Sequence, residues 1–160
     1  MAIKGARPEH GRITPHLLVR NSEQAVEFYK QALGAEVLYS SPMPHGRGVH
    51  AHLRIAKTVV MLTEENARRQ AADWQAAPET LGGTSTILEL YVDDVNAAFE
   101  RAVNAGAKPT MPVMDTFWGD RYGWITDPYG HIWALATAGE ELTPEEIQGR
   151  MEDMMAKMRG

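Results

Sequence analysis

The sequence predicts an α+β fold built from two tandem βαβββ modules, and three observations predict it. The first is an internal repeat. Thr14-Pro15-His16-Leu17-Leu18-Val19 returns as Ile87-Leu88-Glu89-Leu90-Tyr91-Val92, seventy-three positions later. Ala25-Val26-Glu27 returns as Ala98-Phe99-Glu100, and Val60-Met61-Leu62-Thr63 as Trp133-Ala134-Leu135-Ala136, at the same spacing. A period this long is one supersecondary unit used twice. The second observation is the order of local signals within each copy, a strand, a helix and then three strands. The third is the pair of turn signals, Gly34 after the first helix and Asp127-Pro128-Tyr129-Gly130 before the last strand.

In the first copy, Ile13 to Arg20 alternates as a strand does. Asn21 and Gln24 stand as a helix start, with apolar residues at 25, 26, 29, 32 and 33 on one face and Gly34 as the stop. Strands are expected over Glu36 to Ser40, Val49 to Ile55 and Thr58 to Thr63, with Pro42 to Gly46 as a loop. In the second copy, a strand runs from about Thr86 to Val92. A helix starts at the Asp94 cap and stops at Gly106. Pro109 and Pro112 mark an irregular edge strand. Two more strands lie near Tyr122–Thr126 and His131–Thr137. The resulting division is a first module over 13–64, a linker over 65–83, a second module over 84–138 and an amphipathic helix over 143–159. Ala67 to Ala77 is a candidate short helix within the linker.

The last helix opens on Thr143-Pro144-Glu145-Glu146, a capping box with proline at the first helical position. Its apolar stripe is Ile147, Met151, Met154, Met155 and Met158. That stripe packs on its own domain or on a second subunit, and a homodimer is the expected assembly.

Composition narrows the function. The chain has no cysteine, which excludes disulfides, thiolate nucleophiles and cysteine-ligated metals. Its net charge of −5, with no basic stripe, argues against a nucleic-acid partner. No stretch is long and apolar enough for a membrane span, and the opening residues do not read as a signal peptide, so a cytoplasmic location is expected.

Paired βαβββ units, Phe28-Tyr29 late in the first helix and Asp127-Pro128-x-Gly130 before the last strand resemble the vicinal oxygen chelate superfamily. That group includes glyoxalase I, extradiol dioxygenases and bleomycin-resistance proteins. Trp118-Gly119-Asp120-Arg121-Tyr122-Gly123 and the Pro144-Glu145-Glu146 tail look like its PhnB-like branch. The resemblance implies one curved mixed sheet with the helices on its convex face. It also implies metal ligands at positions that are Thr14, Met61, Ile87 and Ala134 here. None of these is an imidazole or carboxylate, so no metal and no cofactor is expected at that position.

His16 and Glu89 are repeat partners, two residues beyond the emptied positions and on the same face. They are expected to pair across the centre of the sheet, as a structural pair, a ligand contact or a catalytic base. His50 and His52 lie on the polar face of one strand, as a solvated face or a chelating pair. Trp118, Asp120, Arg121, Tyr122 and Trp124 crowd one segment, where they line a pocket or brace a turn. The expected ligand-binding set is therefore His16, Leu18, Glu89, Tyr91, Trp118, Arg121, His50 and His52. The leading expectation is a metal-free protein that sequesters or senses a small organic molecule. The alternative is a metal-dependent lyase, isomerase or dioxygenase whose metal is displaced onto His16, His50, His52 and Glu89.

Overall fold

The computed structural model describes residues 10–11, 13–44, 46–66 and 75–159. Among them the element order is β1 (His16–Val19), α1 (Ser22–Leu33), β2 (Glu36–Pro42), β3 (Val49–Ile55), β4 (Thr58–Glu64), α2 (Pro78–Leu81), β5 (Ile87–Tyr91), α3 (Val95–Asn104), β6 (Lys108–Asp115), β7 (Arg121–Thr126), β8 (Ile132–Thr137) and α4 (Pro144–Arg159). Two βαβββ modules are present in tandem. Each forms a four-stranded mixed sheet, in the orders β1-β4-β3-β2 and β5-β8-β7-β6. The strands therefore divide between two sheets, where a single curved one was expected. β1 pairs only with β4, and β5 only with β8, among the described strands. Most of the candidate linker helix, residues 67–74, lies outside the described residues.

One core spans both modules. The inward residues of β1, β3 and β4, namely Leu17, Val19, Ala51, Leu53 and Leu62, join Val26, Tyr29 and Leu33 of α1. Val95, Ala98 and Ala102 of α3, with Ile125, Trp133 and Leu135 of the second sheet, complete the same cluster. α1 packs against α3, so each sheet turns its helix-covered face toward the other module. The period-2 alternation of β3, with Ala51, Leu53 and Ile55 buried, sends His50, His52 and Arg54 to the opposite face.

The buried polar groups explain how the modules hold together. Asp127 accepts four hydrogen bonds: Tyr29 Oη at 2.6 Å, Trp133 Nε1 at 3.0 Å, and the backbone N–H groups of Tyr129 and His131 at 2.9 Å each. Burial and the Asp127 charge push the Tyr29 phenol well above its ordinary pKa. His131 Nε2 lies 2.9 Å from the Leu18 carbonyl, a second link between modules. Gly130 closes the turn at φ 86°, and a Cβ there would lie 2.9 Å from the Pro78 side chain.

The start of α1 differs from the expectation. Asn21 occupies the N-cap position in a left-handed conformation and makes no side-chain cap. Glu64 does the work, accepting from the backbone N–H of Ser22 at 2.6 Å and of Asn21 at 3.2 Å. A carboxylate suits this place because the helix N-terminus carries partial positive charge. Gly48 lets β3 approach, since a Cβ there would meet Glu64 Oε2 and Ser22 Oγ at 2.5 Å. Asp94 caps α3 as expected, accepting from Asn96 and Ala97.

Burial alone would raise the Glu64 pKa, but the Ser22 and Asn21 N–H groups and the Arg47 guanidinium outweigh it and hold the pKa below 4.5. A depressed carboxyl contributes stability above its unfolded pKa and loses it as pH falls through the folded one. Glu64→Gln is expected to cost about 1–3 kcal/mol at neutral pH. That difference should shrink as the pH falls below the ordinary carboxylate range, read by urea denaturation of both proteins from pH 7 downward.

Candidate functional site

Each sheet has one face away from the shared core, and strand register decides which side chains meet there. On the first sheet two rows cross the strands. One holds His16, Met61, His52 and Tyr39, and the other holds Leu18, Thr63, His50 and Ser41. The rows are joined by hydrogen bonds. The Thr63 hydroxyl lies 2.5 Å from His16 Nε2 and 2.7 Å from His50 Nδ1. His50 Nε2 in turn lies 3.0 Å from His52 Nε2. His10 stacks edge-on against His52 with ring centroids 5.0 Å apart, and Tyr39 lies tilted against the same ring at 5.5 Å. Four imidazoles thus share one face, two of them bonded to the hydroxyl of Thr63, a residue only 4% exposed.

Burial, then the charges of His50 and His52, lower the His16 pKa below 6.5. Its neutral form is favoured at pH 7, as a lone-pair donor or hydrogen-bond acceptor requires.

The second sheet carries aromatics at the matching places. Its rows are Glu89, Ala134, Trp124 and Met111, and then Tyr91, Ala136, Tyr122 and Met114. Tyr122, Ala134 and Ala136 are buried under Trp118, Trp124 and Met111. Trp118 meets Tyr122 edge-on at 5.4 Å, and Tyr122 meets Trp124 at 6.3 Å. Trp124 Nε1 is buried with no hydrogen-bond partner among the described residues. Tyr91 donates to Asp120 Oδ2 at 2.8 Å. That bond, burial and the Asp120 and Glu89 charges raise its pKa to about 12.

These rows also show where counting along the chain fails to match the modules. A strict 73-residue shift matches His50 and His52 with Gly123 and Ile125. Sheet pairing instead places His50 opposite Thr63 as Tyr122 is opposite Ala136, and His52 opposite Met61 as Trp124 is opposite Ala134. A one-residue slip exchanges the two faces of a strand, so hairpin pairing sets the true partners. The imidazole pair of one module corresponds to the aromatic pair of the other.

The expected His16–Glu89 pair is not made. β1 and β5 are not strand neighbours, His16 bonds to Thr63, and Glu89 is an exposed residue beside Tyr91. Arg121 pairs with Asp115 at 2.7 Å and reaches Asn96 at 3.3 Å, while Asp120 serves Tyr91. An open cleft of about 540 Å³ borders this corner, lined by Asp93, Asp94, Asn96, Asp115, Asp120 and Arg121. It includes neither His16 nor Glu89. Thr63 escaped the sequence reading, although its place two residues after Met61 on an alternating strand was a usable signal.

The residues at the resemblance's metal positions do not fit a metal. Met61 and Ala134 sit opposite His16 and Glu89, and Ile87 opposite Ile132. Ala134 is fully buried, and neither it nor Ile87 has a donor atom.

Comparison with known proteins agrees with this fold. Residues 11–135 match the model of the Glyoxalase/Bleomycin resistance protein/Dioxygenase superfamily, and the chain belongs to that superfamily. It is 40% identical over 139 residues to the uncharacterized protein Rv0887c of Mycobacterium tuberculosis, spanning 87% of this chain and 81% of that one. Protein YjdN of Escherichia coli is 22% identical, over 82% of this chain and 98% of its own. Among solved structures, TioX of Micromonospora sp. ML1 superposes with a TM-score of 0.60 at 23% identity, over 83% of this chain and 100% of that one. The fosfomycin resistance protein FosX of Listeria monocytogenes gives 0.59 at 18% identity, over 86% and 97%. The last two are likenesses of fold.

Removing either neighbouring imidazole is expected to raise the His16 pKa toward 6.5. Titration of the ring resonances by NMR in His50→Ala and His52→Ala checks this, and an unchanged or lower value contradicts the assigned coupling.

Proposed function

We propose that this protein binds a small organic molecule on the faces its sheets turn away from the core, sequestering or sensing it in the cytoplasm. It does so without a metal at the position its superfamily resemblance assigns. The observation that carries the reading is the pairing of two facts. The assigned metal positions hold Thr14, Met61, Ile87 and Ala134, and the same faces keep converging polar and aromatic groups. An apolar wall with a few fixed polar groups is what a small-molecule site requires. Trp118 and Trp124, partly exposed beside the buried Tyr122, supply edges and faces for a flat ligand. Glu89 and the Tyr91–Asp120 pair favour a neutral or cationic one.

A thermal-shift or calorimetric screen of aromatic and cationic metabolites, run in EDTA, tests this. A ligand binding better than millimolar is expected, with Glu89→Gln weakening it and leaving thermal stability unchanged. No such ligand, together with turnover of a glutathione hemithioacetal or a catechol, would replace the reading with an enzymatic one.

The assembly we propose is a homodimer. α4 has no buried residue, and Met151, Met154, Met155 and Met158 are exposed along it. Contiguous apolar surface of this kind is unusual on a monomer. A second copy can cover this stripe, and the open sheet faces with Tyr39, Ile87 and Tyr91 exposed. Light scattering at tens of micromolar should give twice the 17.7 kDa chain mass, and removal of residues 144–159 should weaken the dimer. A monomer for the full chain contradicts it.

A further inference from the structure

We propose that the histidine face of the first sheet is a binding site for one borderline divalent transition-metal ion, such as zinc or nickel, held by His50 and His52 with His10 as the third ligand. The site stands one strand away from Met61, the emptied position on β4, because His52 of β3 pairs directly with Met61. It is independent of the small-molecule reading, which concerns an organic ligand and is tested in EDTA.

Three observations carry it. The first is the bite of the pair. His50 Nε2 and His52 Nε2 are 3.0 Å apart. Two imidazole nitrogens at about 2.0–2.1 Å from one ion lie roughly 2.9 Å apart at a right angle and about 3.4 Å apart at a tetrahedral angle. The observed separation falls between these limits. Two residues of one strand, on one face, hold it without any backbone movement.

The second is the support behind the ligand. His50 turns its other nitrogen, Nδ1, to the Thr63 hydroxyl at 2.7 Å. With the Nδ1 proton given to that oxygen, Nε2 keeps its lone pair on the side it shares with His52 Nε2. Fixing the tautomer from behind in this way is what partners of metal-bound histidines do. His16 holds the same hydroxyl from the other side and orients it.

The third is an orphan. His10 Nε2 is buried with no hydrogen-bond partner among the described residues, although its ring rests on His52. A buried imidazole nitrogen without a partner costs on the order of 1–3 kcal/mol, and a metal bond relieves it. Among the described residues no three donors already surround one point. The third bond therefore requires His10 to turn, and its Nε2 has no hydrogen bond to lose by turning. Imidazole-only ligation suits zinc, copper and nickel, and does not suit magnesium or calcium.

The test is calorimetric titration of the full chain, stripped with EDTA and exchanged into chelator-free buffer, with zinc chloride and separately with nickel chloride. One ion per chain is expected. His50→Ala and His52→Ala should each abolish stoichiometric binding, and His10→Ala should weaken it. Thr63→Val should weaken it about tenfold while leaving every imidazole in place. Far-ultraviolet circular dichroism confirms that each variant is folded, and His52→Gln serves if His52→Ala is not. X-ray absorption of the zinc form should report imidazole back-scattering from at least two rings. The proposal is overturned if the wild type takes up neither ion stoichiometrically. It is also overturned if uptake persists in the folded His50→Ala/His52→Ala double variant. A metal site that stands while the ligand screen finds nothing removes the small-molecule reading alone.

Discussion

The arrangement of the whole chain depends on one buried carboxylate. Asp127 sits in the turn before β8 and is 4% exposed. Leaving a charge there without partners would cost several kcal/mol. Three of its four donors come from its own module, and the fourth, Tyr29, comes from α1 of the other. Tyr29 is itself fully buried, between Phe28, Tyr129 and Trp133. The hydrogen bond can form only if the end of α1 lies over the β7–β8 turn. That placement brings α1 against α3, with Arg101 Nε donating to the Ala32 carbonyl beside it. Once the helices meet, the helix-covered faces are committed to the core. The opposite faces, with all the histidines of β1 and β3 and the aromatics of β7, are left to solvent or to a partner.

The two modules solve the same mechanical problem with different residues. Glu64 and Thr137 are repeat partners at the ends of β4 and β8. Glu64 accepts from the Ser22 N–H at the start of α1, and Thr137 Oγ1 accepts from the Val95 N–H at the start of α3. In each case the fourth strand of a module caps the helix that follows its first strand. The chemistry on the open faces shares no such constraint. Thr63 joins His16 and His50, whereas its partner Ala136 is a methyl group beneath Tyr122. Mechanical positions retain their role across the repeat, and face positions are released to specialise, one sheet toward imidazole and the other toward aromatic rings.

Much of the fold was legible because periodicity and punctuation are local. β3 keeps its expected bounds, Gly34 ends α1, and Asp94 caps α3. What was not legible depends on register and on distance along the chain. Asn21 has the composition of a cap, but the capping carboxylate comes from Glu64, forty-two residues beyond Ser22. The face of each candidate residue was readable from alternation, and its partner was not. His16 and Glu89 looked like a pair because a continuous sheet would set β1 beside β5. With two sheets, each residue finds a partner inside its own module. Thr63 drew no notice because a threonine on a strand is ordinary until β1 and β3 are known to flank it.

Polar side chains gathered on one sheet face must be satisfied by one another or by solvent, and the first sheet shows one resolution. Here three imidazoles and one hydroxyl do so in a chain, His16 to Thr63 to His50 to His52. An imidazole in its neutral form has one donor and one acceptor, and a chain of such rings can run in either direction with every intermediate group satisfied. That freedom makes the face tolerant. Reversing the same bonds exchanges a lone pair for an N–H at the two ends of the chain. The aromatic face has no such latitude, since its ring edges present a fixed pattern. The second sheet therefore presents a fixed pattern of rings, and the first an adaptable chain of donors and acceptors.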